Sequence, residues 1–315
     1  MTEGEGSPNP PGQAEGLFRM PGGVLRTVFA LGLLVLLTWG GAKAWKRWGV
    51  AAMQSPQYKL TAEHIQTSPL PPWIRTNVVE EILRDSSLEQ HSILDPQLTI
   101  KVADAFRLHP WVRSVVRVRK RSPGRVIVDL EFRQPVALVE VVTTNARGVL
   151  PVDAEGALLP RADFVNDQGE LHEDALSLPV IAAGDSIPQG PIGSPWGDAR
   201  VRGAARIAAA FGKNWKATGL FKIEPDVSSH GPANHADCEF TLLAKNGSRV
   251  IWGKAPGDSP SEQLAAEEKA GRLLQHATQS HAFDASASPT EVDLRSPGNL
   301  RIVPSTARQT STLRP

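Results

Sequence analysis

DPQLTIKVADAFRLHPWVRSVVRVRKRSPGRVIVDLEFR, residues 95–133, changes from a helical to a two-residue repeat within a few positions. Leu98, Val102, Ala105 and Phe106 recur at the spacing of one helical face. Asp95-Pro96 reads as an N-cap followed by proline at the first helical position. His109-Pro110 ends the helix, because the residue before a proline disfavours helical backbone. Beyond it, Val112, Ser114, Val116 and Val118 point one way and Arg113, Arg117 and Arg119 the other, the pattern of a half-buried strand. Arg121-Ser122-Pro123-Gly124 makes a turn, after which Val126, Val128, Leu130 and Phe132 face a core with Asp129 and Glu131 outward. A hairpin register that keeps both apolar sets together brings the outward arginines near the outward carboxylates.

Working outward, Asn77 with Glu80 resembles a capping box, and Val78, Val79, Ile82 and Leu83 mark the face of an earlier helix. Tyr58 to Ile65 is a strand candidate. Residues 57–133 therefore read β-α-α-β-β, a two-layer α+β domain with one sheet face against two helices.

Residues 134–304 read as a second, β-rich domain with two helices. Val136–Val142 is a strand, and Asp153-Ala154-Glu155-Gly156 turns the segment 149–159. Asp198 caps a helix carrying Val201, Ala205, Ala208 and Phe211 and closed by Gly212. Asn246-Gly247 between two apolar runs is a hairpin signal. Ser259-Pro260-Ser261-Glu262 opens a helix with Ala266, Ala270, Leu273, Leu274 and Ala277 inside. Glu291–Arg295 and Asn299–Val303 are the last two strand candidates.

The run TVFALGLLVLLTWGGA, residues 27–42, is uncharged, and with snorkelling of Arg26 and Lys43 it predicts a transmembrane helix over 24–45. Trp39, Trp45 and Trp48 fit an interfacial cluster at its end. The Gly-, Pro- and Glu-rich tail 1–23 and the tail 305–315 read as disordered. The formal net charge of +1 argues against a nucleic-acid partner. The single cysteine, Cys238, cannot form an internal disulfide and is expected to be dispensable.

Catalytic signals are weak. His230, His235, Asp237 and Cys238 match no metal-ligand spacing and flank Gly231-Pro232, as an exposed loop would. Glu267-Glu268 diverge on a helix and read as a solvated face. No nucleophile elbow or phosphate loop is present. The expectation is a non-catalytic protein without metal or cofactor. The arginine run 113–125 fits a solvated strand face, an acidic partner or lipid headgroups.

The order of these segments resembles the FtsQ/DivIB cell-division family, whose first extracytoplasmic unit is a POTRA domain. The matching residues are His109-Pro110-Trp111-Val112, Ser122-Pro123, the strand 126–132 and the junction Arg133-Gln134-Pro135-Val136-Ala137. Val152-Asp153 with Gly156, Leu178-Pro179 with Gly184, Gly247 to Gly253, Lys269, Leu273 and Val292-Asp293-Leu294-Arg295 follow in order. Phe132 replaces the family's junction glutamate, and 160–177 and 184–197 look like insertions.

The resemblance implies a membrane-anchored scaffold of the bacterial divisome in the inner membrane, with a cytoplasmic N-terminus, extracytoplasmic domains and contact with the lipid bilayer. It implies FtsB- and FtsL-like single-pass partners and the septal peptidoglycan synthesis complex. The other readings are a POTRA-type polypeptide-handling module and, last, an envelope hydrolase. The partner surface is expected on Asp293, Leu294, Arg295, Asn299, Leu300, Arg301, Ile302 and Val303, because a terminal strand leaves backbone groups for strand addition.

Overall fold

The computed structural model describes residues 22–44, 58–142, 147–226, 238–257, 260–296 and 300–304. The chain divides into two compact units, 1–59 with 92–95, and 60–91 with 96–315. The tails 1–21 and 305–315, together with Trp45 and Trp48, lie outside the described residues.

In the first unit, helix α1 spans Gly22–Ala44, and Lys59 bridges to Ser92. Apolar side chains from Phe29 to Trp39 are exposed. Among the described residues, no helix is long and apolar enough to cross a membrane. This overturns the transmembrane helix expected over 24–45. Only sixteen uncharged residues separate Arg26 from Lys43. At about 1.5 Å per residue they cover about 24 Å, short of a hydrocarbon core of about 30 Å. The anchor and the inner-membrane localisation inferred from that span fall with it.

The second unit is α+β with two sheets. The first is built from β1 (Ile65–Thr67), α2 (Val78–Ser86), α3 (Leu98–Arg107), β2 (Val112–Arg121) and β3 (Arg125–Phe132). Its strand order is β1-β3-β2, with β1 parallel and β2 antiparallel to β3. Asn77 caps α2, its side chain accepting from the Glu80 N–H. Val78, Ile82 and Leu83 on α2, and Leu98, Val102 and Phe106 on α3, are buried.

Three local expectations shift. The first strand begins at Ile65, because Thr61 and His64 close a 3₁₀ turn over Ala62–His64. Helix α3 starts at Leu98 with Gln97 in the N-cap position and no side-chain capping bond there, so Asp95 is not the cap. Strand β2 carries irregularities between Val112 and Ser114 and between Val115 and Arg117. Such bulges break strict alternation, and Val116, expected inside, is 62% exposed.

The second sheet has the order β11-β10-β9-β8-β7-β6-β4-β5. Its strands are β4 (Pro135–Val142), β5 (Arg147–Asp153), β6 (Val180–Ile181), β7 (Leu220–Asp226), β8 (Glu239–Ala244), β9 (Arg249–Lys254), β10 (Thr290–Asp293) and β11 (Arg301–Pro304). The pairs β4/β6, β6/β7 and β9/β10 are parallel and the rest antiparallel, so the sheet is mixed. Helices α4 (Glu173–Leu176), α5 (Ala199–Phe211) and α6 (Pro260–Ser280) accompany it.

Asp198 caps α5, accepting from the Arg200 N–H. Val201, Ala205, Ala208 and Phe211 are buried in the core with Ala266, Ala270, Leu273 and Ala277 of α6. Gly203 gives α5 its close approach to β8, since a Cβ there would lie 2.6 Å from the Phe240 ring. The Asn246-Gly247 turn joins β8 to β9, with Gly247 at φ +86 and the Asn246 side chain accepting from the Ser248 N–H.

Candidate functional site

Strand β11 pairs with β10 through Asp293 opposite Arg301, Val292 opposite Ile302, and Glu291 opposite Val303. Among the described residues no strand lies beyond it. The direction of its backbone groups follows from its neighbours. The Leu294 N–H donates to the Ile251 carbonyl on the β9 side. Backbone groups alternate along a strand, so Val292 also turns to β9, and Glu291 and Asp293 turn to β11. Arg301 and Val303 answer them, and the Ile302 N–H and C=O point outward from the sheet. Pro304, two residues on, lacks the N–H that would share that outward side, as edge strands tolerate.

The other edge is partly closed. The Leu159 N–H donates to the Pro151 carbonyl, and Val152 bridges Leu158, so the chain's own turn covers the end of β5.

The eight expected partner residues do not form one surface. Arg301, Ile302 and Val303 are exposed on β11. Leu294 is buried and Leu300 packs against the core, so neither offers its side chain to a partner. Asp293 and Arg295 hold each other through paired hydrogen bonds, and Arg295 also reaches Glu239 at 3.4 Å. The hydrogen bonds from Arg295 lower the Asp293 carboxyl below its ordinary range. Asn299 lies outside the described residues. Behind the edge, Lys269 donates to the Trp252 carbonyl at 3.2 Å, and burial pushes its ammonium pKa down.

Of the weak catalytic candidates, His230, His235 and Asp237 lie outside the described residues. Glu267 and Glu268 are both exposed, and Glu267 lines a cleft of about 310 Å³ with Arg113, Glu155 and Arg206. Cys238 is buried, and burial followed by the nearby Asp198 charge pushes its thiol up to about 11. Such a thiol is almost wholly protonated at neutral pH and unreactive. Native protein should therefore resist iodoacetamide at pH 8 and label only on unfolding. Cys238→Ser should cost about 1–3 kcal/mol by burying a hydroxyl, measured by urea denaturation. Rapid labelling of folded protein would contradict this burial.

Three polar nodes escaped the sequence pattern. The buried Asp163 carboxylate accepts from the Arg75 N–H at 2.7 Å, the Thr76 N–H at 2.8 Å and the Trp111 indole N–H at 2.8 Å. It lies in one of the two apparent insertions, and its donors flank the first sheet. The other insertion, 184–197, folds around Trp196, whose indole N–H donates to Ser186 at 2.9 Å. Beside the junction, Arg133 pairs with Asp153 at 2.6 Å and Glu155 at 3.4 Å, and Arg113 also pairs with Glu155. No family model and no curated protein matches this chain. The resemblance to FtsQ/DivIB therefore rests on the quoted residues and their order.

Proposed function

We propose that this chain is a non-catalytic scaffold that accepts an extended segment of a partner protein as an added strand on β11. The observation that supports it is the outward Ile302 backbone on the outermost strand of the eight-stranded sheet, flanked by exposed Arg301 and Val303. An edge of this kind offers donors and acceptors at strand spacing. By its resemblance to FtsQ/DivIB, the scaffold serves septum formation. Its partners are FtsB- and FtsL-like division proteins and, through them, the septal peptidoglycan synthesis complex.

Ile302→Pro is the discriminating variant. It deletes an outward N–H and leaves the inward bonds of Arg301 and Val303 to β10 in place. A partner carbonyl left without its donor costs about 1–3 kcal/mol, so binding should weaken about tenfold or more. Ile302→Ala, which keeps the backbone, should bind nearly as well as the parent. The measurement is co-purification with the FtsB-like protein of the same cell, alongside circular dichroism of each variant. Full binding by folded Ile302→Pro would reject strand addition at β11.

A further inference from the structure

We propose that the two hollows sharing Trp215 bind a small organic phosphate, its anion held by Lys213, Lys216 and Lys245 and its apolar body set against the indole. The site is separate from β11 and does not depend on the function proposed there.

Helix α5 ends at Gly212, and a 3₁₀ segment, Gly212–Thr218, follows it. Side chains three positions apart eclipse in such a helix. Lys213 and Lys216 therefore share one exposed edge, and Trp215 and Thr218 share a buried one. The Thr218 hydroxyl donates to the Trp215 carbonyl at 2.7 Å, and the Trp215 ring packs edge-on against Phe211 at 5.1 Å. The indole so fixed lines one hollow of about 230 Å³ and a second of about 280 Å³. Ser177, Leu178 and Lys216 also line both. The first hollow adds Lys213, Pro135 and Val136, and the second adds Lys245, Leu220 and Phe221.

The charges select the ligand. Glu173 is the one carboxylate among the residues that line either hollow. Among the described residues no carboxylate pairs with Lys213, Lys216 or Lys245, whereas Lys222 on β7 meets Glu140 and Glu224, each at 3.6 Å. Two ammonium groups on one edge repel each other, and an anion between them relieves that repulsion. Trp215 is 3% exposed, and its indole N–H has no acceptor among the described residues. A buried indole usually finds a partner for its N–H, and a ligand oxygen at this wall supplies one. Three ammonium groups and an indole N–H are donors only, so they suit a group that only accepts. Lysine meets phosphate as a point charge, without the planar fork by which arginine grips a carboxylate. Each hollow is slightly smaller than the about 300–1,000 Å³ of common ligand sites, which suits a compact ester rather than a folded partner. That ester is a soluble organic phosphate or the headgroup of a phospholipid.

The test is isothermal titration calorimetry of the purified full-length protein in phosphate-free buffer. The probes are phenyl phosphate, inorganic phosphate, benzoate and phenol, and phosphatidic acid vesicles are assayed by flotation. Phenyl phosphate should bind more tightly than the other three, with affinity that falls as salt screens the lysines. Lys213→Gln with Lys216→Gln, both at exposed positions, should weaken it by about tenfold or more. Trp215→Phe keeps an aromatic wall and removes the N–H, and it should weaken binding severalfold, with circular dichroism confirming the fold. Lys222→Gln and Ile302→Pro should leave binding unchanged. Flotation that is lost in the double lysine variant assigns the phosphate to a lipid headgroup, and phenyl phosphate binding without flotation assigns it to a soluble ester. The proposal is overturned by absence of phenyl phosphate binding, by equal affinity for benzoate, by unchanged affinity in the folded double variant, or by flotation that survives that substitution.

Discussion

Asp163→Ala is expected to lower the unfolding free energy by about 3–5 kcal/mol, because it strands three hydrogen-bond donors around a buried site. The side chain is 1% exposed, and it receives the N–H groups of Arg75 and Thr76 and the indole N–H of Trp111. Trp111 is fully buried, so its N–H has no route to water once the carboxylate is gone. Each donor stranded in this way costs about 1–3 kcal/mol. Asp163→Asn separates charge from geometry. Its carbonyl serves the two backbone donors at one oxygen position, but its amide presents a donor to the Trp111 N–H, so it too should be destabilised, by less than alanine. Urea denaturation of the full chain measures both. An alanine variant with an unchanged midpoint would show that the segment 160–177 does not fasten the residues around Trp111.

This node was not legible in the sequence, and the reason is physical. Asp163 is 88 positions from Arg75 and 52 from Trp111. Local periodicity carries no information about such pairings, and an aspartate near Pro160 and Arg161 reads as loop. The first sheet was legible because its elements are local and strongly periodic. Leu98, Val102 and Phe106 mark one helical face, and Val126, Val128 and Leu130 one strand face. Strand β2 was legible in extent but not in phase, since Val115, Val116 and Val118 fit either side until the bulge is seen. Strand β6 has two residues, too few for any period, and β7 contains Pro225, which argues against a strand. In the candidate partner region, chain order indicated an edge. It could not show that Leu294 and Leu300 turn into the core while Ile302 turns its backbone outward.

Phe106→Ala should also cost about 3–5 kcal/mol, the usual range for truncating a fully buried aromatic. Phe106 is 0% exposed on α3, which packs on β2, and Val126 and Val128 on the adjacent strand β3 are likewise 0% exposed. The loss has two parts: the apolar transfer energy of the ring, and a cavity that neighbours held by two helices and a sheet fill only in part. Val116 supplies the internal control. Alternation alone would set it beside Phe106, but the bulge turns it out to solvent. Val116→Ala should therefore stay within about 0.5 kcal/mol of the parent. Urea midpoints for the two variants, measured side by side, decide between the bulged strand and a regular one. A large loss for Val116→Ala together with a small one for Phe106→Ala would mean that β2 packs on α3 in the opposite phase.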